Sequence, residues 1–147
     1  MALDVAQRLQ SNLRAAGFKT VMTRSSDTFI PLGTRVAIGN RYRDGVFVSV
    51  HFNSAARVGA AGIETYYYSS KSASLASTLH ARVLRAAGSE NRFVRKRGFY
   101  VLRKSRIPAV LLELGFLTNP TEGNRVKTAA HRQKLADAIA QGIKDRY

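Results

Sequence analysis

One apolar run of this chain ends on a histidine and another ends on a glutamate, and those two residues, His51 and Glu113, are where chemistry is expected. The first run, Val46 to Ala55, reads VFVSVHFNSA, a β-branched and aromatic stretch suited to a strand buried on both faces. His51 would then emerge at its carboxyl edge, where open α/β sheets place their ligands. The second run, Ala109 to Glu113 (AVLLE), has the same form and ends on a carboxylate. If both strands are parallel members of one sheet, imidazole and carboxyl rise at the same edge, a pairing that serves metal ligation or acid/base catalysis. Each residue alone has a plainer reading. His51 could bond a backbone group at a strand end, and Glu113 could bond the backbone around Gly115. An acid that follows a buried apolar strand is costly unless something pairs with it, and the two together favour a site.

The elements that must position them alternate along the chain. Val5, Ala6, Leu9, Leu13 and Ala16 recur at helical spacing and Gly17 follows as a cap, so the chain opens in a helix. Lys19 to Thr23 (KTVMT) reads as a strand, and Asp27 precedes a second helix from about Pro31 to Tyr42. After the His51 strand come Gly62 to Tyr68 (GIETYYY), a strand, and a third helix from about Ser72 to Ala87 that stops at Gly88. Phe99 to Leu102 and Ala109 to Leu114 read as two more strands, and the last helix runs from about Thr128 to Asp145. Asn119, Pro120 and Glu122 have the order of an N-cap, a first-turn proline and a capping-box acid, so a short helix starts there. The fold class that follows is α/β, a single-domain three-layer sandwich with a mixed, largely parallel sheet and helices on both faces. His80 falls at the edge of the third helix's apolar stripe and reads as structural, while His131 reads as solvated. Tyr66, Tyr67 and Tyr68 alternate across a strand, so at least one ring belongs to the core.

Composition bounds the function. At 147 residues the chain is one domain able to bury a core without disulfides or a structural metal, and its lack of cysteine removes thiolate ligands and thiol nucleophiles. No apolar stretch approaches the roughly 18 residues of a membrane span, and the amino terminus lacks the basic-then-apolar form of a signal peptide. The net charge of +15 implies attraction to polyanions such as nucleic acid, acidic membranes or an anionic cell wall. No acid occurs between Glu90 and Glu113, whereas Arg92, Arg95, Lys96, Arg97, Arg103, Lys104 and Arg106 all fall in that window. For most of the seven the reading is a solvated basic surface.

AGFKTVMTR, RVAIGN, VFVSVHFNSA, GIETYYYS, GFYVLRKSRIPAVLLELGFLTNP and QKLADAIAQGI, in this order and at these separations, resemble the zinc-dependent N-acetylmuramoyl-L-alanine amidases of the amidase-3 type. The similarity covers essentially the whole chain. It implies hydrolysis of the amide between the muramic lactyl group and L-alanine in peptidoglycan, and a cell-envelope location, periplasmic or extracellular. By the same resemblance His51 matches a zinc-binding histidine and Glu113 the catalytic acid/base. Asn53, a polar neighbour of that histidine, and Arg106, in the basic window, are candidate substrate contacts.

The departures from the family pattern are equally informative. Members begin with a strand and a histidine-bearing Asp-Pro-Gly-His-Gly-Gly type loop, followed by a glutamate, and these supply two of the three zinc ligands. Alignment places Met1 inside the first helix, so residues 1–147 read as an amidase-like catalytic domain incomplete at its amino end, with one of three Zn2+ ligands. Such a gap exposes a sheet edge that could pair with a second chain. Some members also carry a helix that blocks the zinc. Here only Ser54 to Ala61 separates the His51 strand from the next, so an open groove is expected. Three functional readings remain: a shortened form of an active amidase, a metal-free amidase fold that binds peptidoglycan or regulates a hydrolase, and a nucleic-acid binder. The last ranks lowest because no nucleic-acid motif is present.

Overall fold

The computed structural model describes residues 1–147. Helix α1 (Ala2–Ala15) buries Val5, Leu9 and Leu13, and its end is fixed by Gly17 at φ 87°. Gly17 N donates to Arg14 O and Phe18 N to Leu13 O, the paired bonds of a Schellman cap, and Phe18 packs onto the core just beyond it. The remaining helices are α2 (Leu32–Gly39), α3 (Ser70–Ala87), α4 (Tyr100–Arg103), α5 (Pro120–Lys127) and α6 (Ala129–Lys144). The strands are β1 (Phe47–Asn53), β2 (Ile63–Tyr67), β3 (Asn91–Lys96) and β4 (Ala109–Phe116).

The sheet order is β1-β4-β2-β3, with β1 parallel to β4, β2 antiparallel to β4 and β3 parallel to β2. Alternation along β4 divides its side chains between two layers. Val110, Leu112 and Leu114 join the main core with residues of α1, α3 and α6, while Ala109 and Leu111 join Val36 of α2 and Val101 and Leu102 of α4 on the other face. That second cluster covers only the amino-terminal half of β4, and Glu113 lies beyond it.

Three expectations are corrected. Lys19–Thr23 takes no place in the sheet, because no strand lies alongside to accept a ladder. β1 is an edge strand and only Ser49 in it is fully buried, so its apolar run is half-covered and not enclosed on both faces. Phe99–Leu102 is a helical turn: Leu102 N donates to Phe99 O, and the consecutive Val101 and Leu102 are both buried, which a strand's alternation would not allow on one face. The strand there is instead Asn91–Lys96, which the sequence hides because a bulge breaks its alternation. Register passes from Ile63↔Asn91 to Thr65↔Val94, and Phe93 takes φ 72°. Buried His80 holds that bulge, with Nδ1 on Thr65 Oγ1 (3.0 Å) and Nε2 on Asn91 Oδ1 (2.9 Å).

Glu122 is a further difference. Asn119 caps α5 as expected, accepting from the Thr121 and Glu122 amides. Glu122 does not turn back to close a capping box. Its buried carboxylate accepts from Gly62 N (3.0 Å), Phe116 N (2.6 Å) and the Ser89 hydroxyl. Gly115 makes room for it: at φ 120°, a Cβ there would lie 3.2 Å from Glu122 Oε2.

Candidate active site

A single row of the sheet carries the site. His51 of β1 is in register with Glu113 of β4, and Glu113 is in register with Glu64 of β2. Neighbouring strands are about 4.8 Å apart, so imidazole and two carboxyls are brought together from three segments distant in sequence. The strand directions explain the row's position, since β1 and β4 approach their carboxyl ends here while β2 begins. No helix lies between β1 and β2; residues 54–62 form turns and irregular backbone. They are stitched to the segment after β4: Leu117 N donates to Asn53 O, Ala55 N to Thr118 Oγ1 and Asn119 Nδ2 to Val58 O.

Each of the three groups has a different environment. His51 Nε2 shares a 3.0 Å hydrogen bond with Ser49 Oγ, two residues back on the same face, and Nδ1 has no hydrogen-bond partner. Burial, reinforced by the charge of Arg35 on α2, lowers the imidazole's pKa and favours the neutral ring. Glu64 is 5% exposed and fully engaged. Its Oε1 accepts from Arg92 Nε at 2.7 Å, and its Oε2 from Tyr66 Oη at 2.5 Å and Asn53 Nδ2 at 3.2 Å. Burial pushes that carboxyl up, but the hydrogen bonds from Tyr66 and Arg92 outweigh it and hold Glu64 below the usual range. The Tyr66 phenol is pushed up to about 12, by burial and then by its bond to Glu64.

Glu113 is the opposite case. Its Oε2 is buried with no hydrogen-bond partner, and burial together with the Glu64 charge raises its pKa to about 7. A carboxyl that titrates near neutrality, beside one that stays ionised, is the division of roles that acid/base chemistry needs.

The structure separates the other two sequence candidates. Asn53 lies in the network, but both ends of its amide are used, Nδ2 by Glu64 and Oδ1 by Ser54 N. Arg106 precedes β4 at the end opposite Glu113, with its amide on Asn40 Oδ1 (2.8 Å). Glu64, Tyr66, Arg92 and Arg35 were not singled out from the sequence as site residues. An acid two residues before a tyrosine in GIETYYY shares a strand face with it, and that was the available signal for Glu64.

A catalytic zinc normally takes three protein ligands and a water. No three His, Cys, Asp or Glu side chains lie close enough to hold one metal ion; in the row Glu64 is two strands from His51 and bound to Arg92 and Tyr66, so His51 offers one donor and the residues present do not complete such a centre.

Residues 1–145 match the Amidase_3 family, N-acetylmuramoyl-L-alanine amidase, and the chain belongs to it. The probable cell wall amidase LytH of Staphylococcus aureus is 37% identical over 142 residues, which is 97% of this chain and 47% of that protein. The chain therefore spans about half the length of the curated relatives it matches. Among solved structures, the catalytic domain of CwlV, an N-acetylmuramoyl-L-alanine amidase from Bacillus (Paenibacillus) polymyxa var. colistinus, superposes with a TM-score of 0.93 at 36% identity, covering 97% of this chain and 80% of that one. The N-acetylmuramoyl-L-alanine amidase AmiC2 of Nostoc punctiforme gives 0.91 at 34% identity, with the same coverage of 97% and 80%.

Proposed function

We propose that this chain is the hydrolytic part of a cell-envelope amidase that cleaves the bond between the muramic lactyl group and L-alanine in peptidoglycan, with Glu113 as acid/base. The observation that carries the reading is the His51, Glu113, Glu64 row, in which only Glu113 has a free buried oxygen and a pKa of about 7. As carboxylate, Glu113 takes a proton from the attacking water while the water oxygen bonds the lactyl carbonyl carbon. It returns that proton to the alanine nitrogen as the C–N bond breaks. Glu64, held by Arg92 and Tyr66, keeps its charge beside Glu113 throughout. Amidase_3 members are generally zinc-dependent, and His51 is the ligand this chain would contribute.

The test is release of free stem peptides from purified sacculi, followed by mass spectrometry. Glu113→Gln is expected to lower release by about 10²- to 10⁴-fold with the fold intact. Release unchanged by glutamine would remove Glu113 from the mechanism. The convergence of fewer than three metal-binding side chains favours a second reading, a metal-free amidase fold that binds peptidoglycan or regulates a hydrolase. That reading predicts sacculus binding with no release from the parent chain, with or without added zinc.

A further inference from the structure

Six cations that make no hydrogen bond or ion pair with the site gather at the far end of the sheet. Lys96 is in register with Tyr67, and Tyr67 with Val110 of β4, so β3 ends level with the start of β4, one strand away across β2. Val110 lies three residues before Glu113, about 10 Å along the strand. Arg95, Lys96 and Arg97 close β3, while Arg103, Lys104 and Arg106 occupy α4 and the approach to β4, and all six are exposed. The two groups are tied together, since Arg103 Nε reaches Gly98 O. None of the six has a carboxylate within 4.0 Å; Arg92, which opens the same basic window, is paired with Glu64.

The nearby rings decide what such a surface would hold. Proteins that bind single-stranded nucleic acid present free aromatic faces on which bases stack. Here Lys96 lies 5.6 Å from the Tyr68 ring centroid, Arg103 lies 5.8 Å from that of Tyr100, and Phe99 meets Tyr66 edge-on at 5.1 Å. Three exposed rings beside the end of β3 and at α4 thus already carry a contact, which leaves Phe93 at the β3 bulge as a single free ring amid positive charge. Dense charge with one stacking face suits a chain of phosphates that carries no bases better than a run of stacked bases.

We propose that this end of the molecule is a docking surface for a linear phosphodiester polymer of the cell envelope, separate from the hydrolytic row and held by counter-ion release. The choice of an envelope polymer rests on the amidase reading. Binding alone is measured, so failure here is distinct from failure of hydrolysis.

The probe is lipid-free poly(glycerol phosphate), titrated into the whole chain between about 50 and 200 mM salt. Affinity is expected to fall steeply with salt. The variant K96Q/R97Q/R103Q/K104Q is expected to bind at least tenfold more weakly at low salt. Its log–log salt slope should be shallower by about 3, at roughly 0.7 per lost contact on a flexible polyanion. The variant R14Q/R85Q/K134Q/K144Q, which removes equal charge from exposed helix positions, should retain most of the affinity. Equal losses in the two variants, absence of binding at low salt, or tighter binding of single-stranded DNA with the same number of phosphates would each overturn the proposal.

Discussion

Glu113 and Glu64 stand directly opposite one another on β4 and β2, two carboxyls in one antiparallel pair, and only Glu64 is partnered. Like charges so placed repel. The fold resolves the conflict by giving Glu64 the guanidinium of Arg92 and the phenol of Tyr66, so that the remaining proton belongs to Glu113.

Stability should therefore depend on pH through Glu113. Its pKa in the folded chain, about 7, lies above the ordinary 4.5, so the folded state binds the proton more tightly. The resulting stabilisation is complete below pH 4.5 and is lost as pH rises through 7. Glu113→Gln should raise the thermal midpoint relative to the parent at pH 8 and not at pH 4. His51 runs the other way, contributing above its ordinary value of 6.5 and losing that contribution on acidification, but it is common to both proteins. Equal midpoint differences at the two pH values would contradict the assignment.

Glu64→Gln removes the negative charge that, after burial, raises Glu113. The Glu113 carboxyl carbon, followed by NMR, should titrate at a lower pH than in the parent, and the Tyr66 phenol should also ionise below about 12. A Glu113 titration that stays near 7 would mean the two carboxyls do not sense each other.

Glu122→Ala should be strongly destabilising although it touches neither His51 nor Glu113. It strips the acceptor from the Gly62 and Phe116 amides, and a buried unsatisfied donor costs about 1–3 kcal/mol. An unfolding free energy lowered by about 2–4 kcal/mol, measured by urea titration, is expected. A change of a few tenths would show that water replaces the carboxylate.

Zinc should be held weakly. With a single imidazole and no third converging ligand, the chain is expected to retain well below one zinc per molecule after dialysis against buffer, measured by elemental analysis. Stoichiometric zinc surviving that treatment would reveal a donor set that these side chains do not display.

Much of the scaffold could be read from local pattern. α1, α3 and α6 follow helical spacing, and the shared form of VFVSVHF and AVLLE placed His51 and Glu113 on neighbouring parallel strands. What escaped reading depends on pairing. KTVMT has a strand's composition, but a strand exists only where a neighbour accepts its ladder. Glu64 looks like an ordinary polar residue until antiparallel register sets it against Glu113, and Arg92 meets it from β3 beside a bulge that the sequence does not announce. Glu122 has capping-box spacing, yet two buried amides from other segments claim its carboxylate.

The bonds joining residues 53–58 to residues 117–119 make one rim from two loops, above a floor that the β strands supply independently. Insertions in either loop would reshape the approach to Glu113 without displacing the strand residues below, but each would have to renegotiate its bonds with the other. Diversification of this rim is thus expected as coordinated change in two stretches some sixty positions apart, while the His51, Glu113 and Glu64 row beneath stays still.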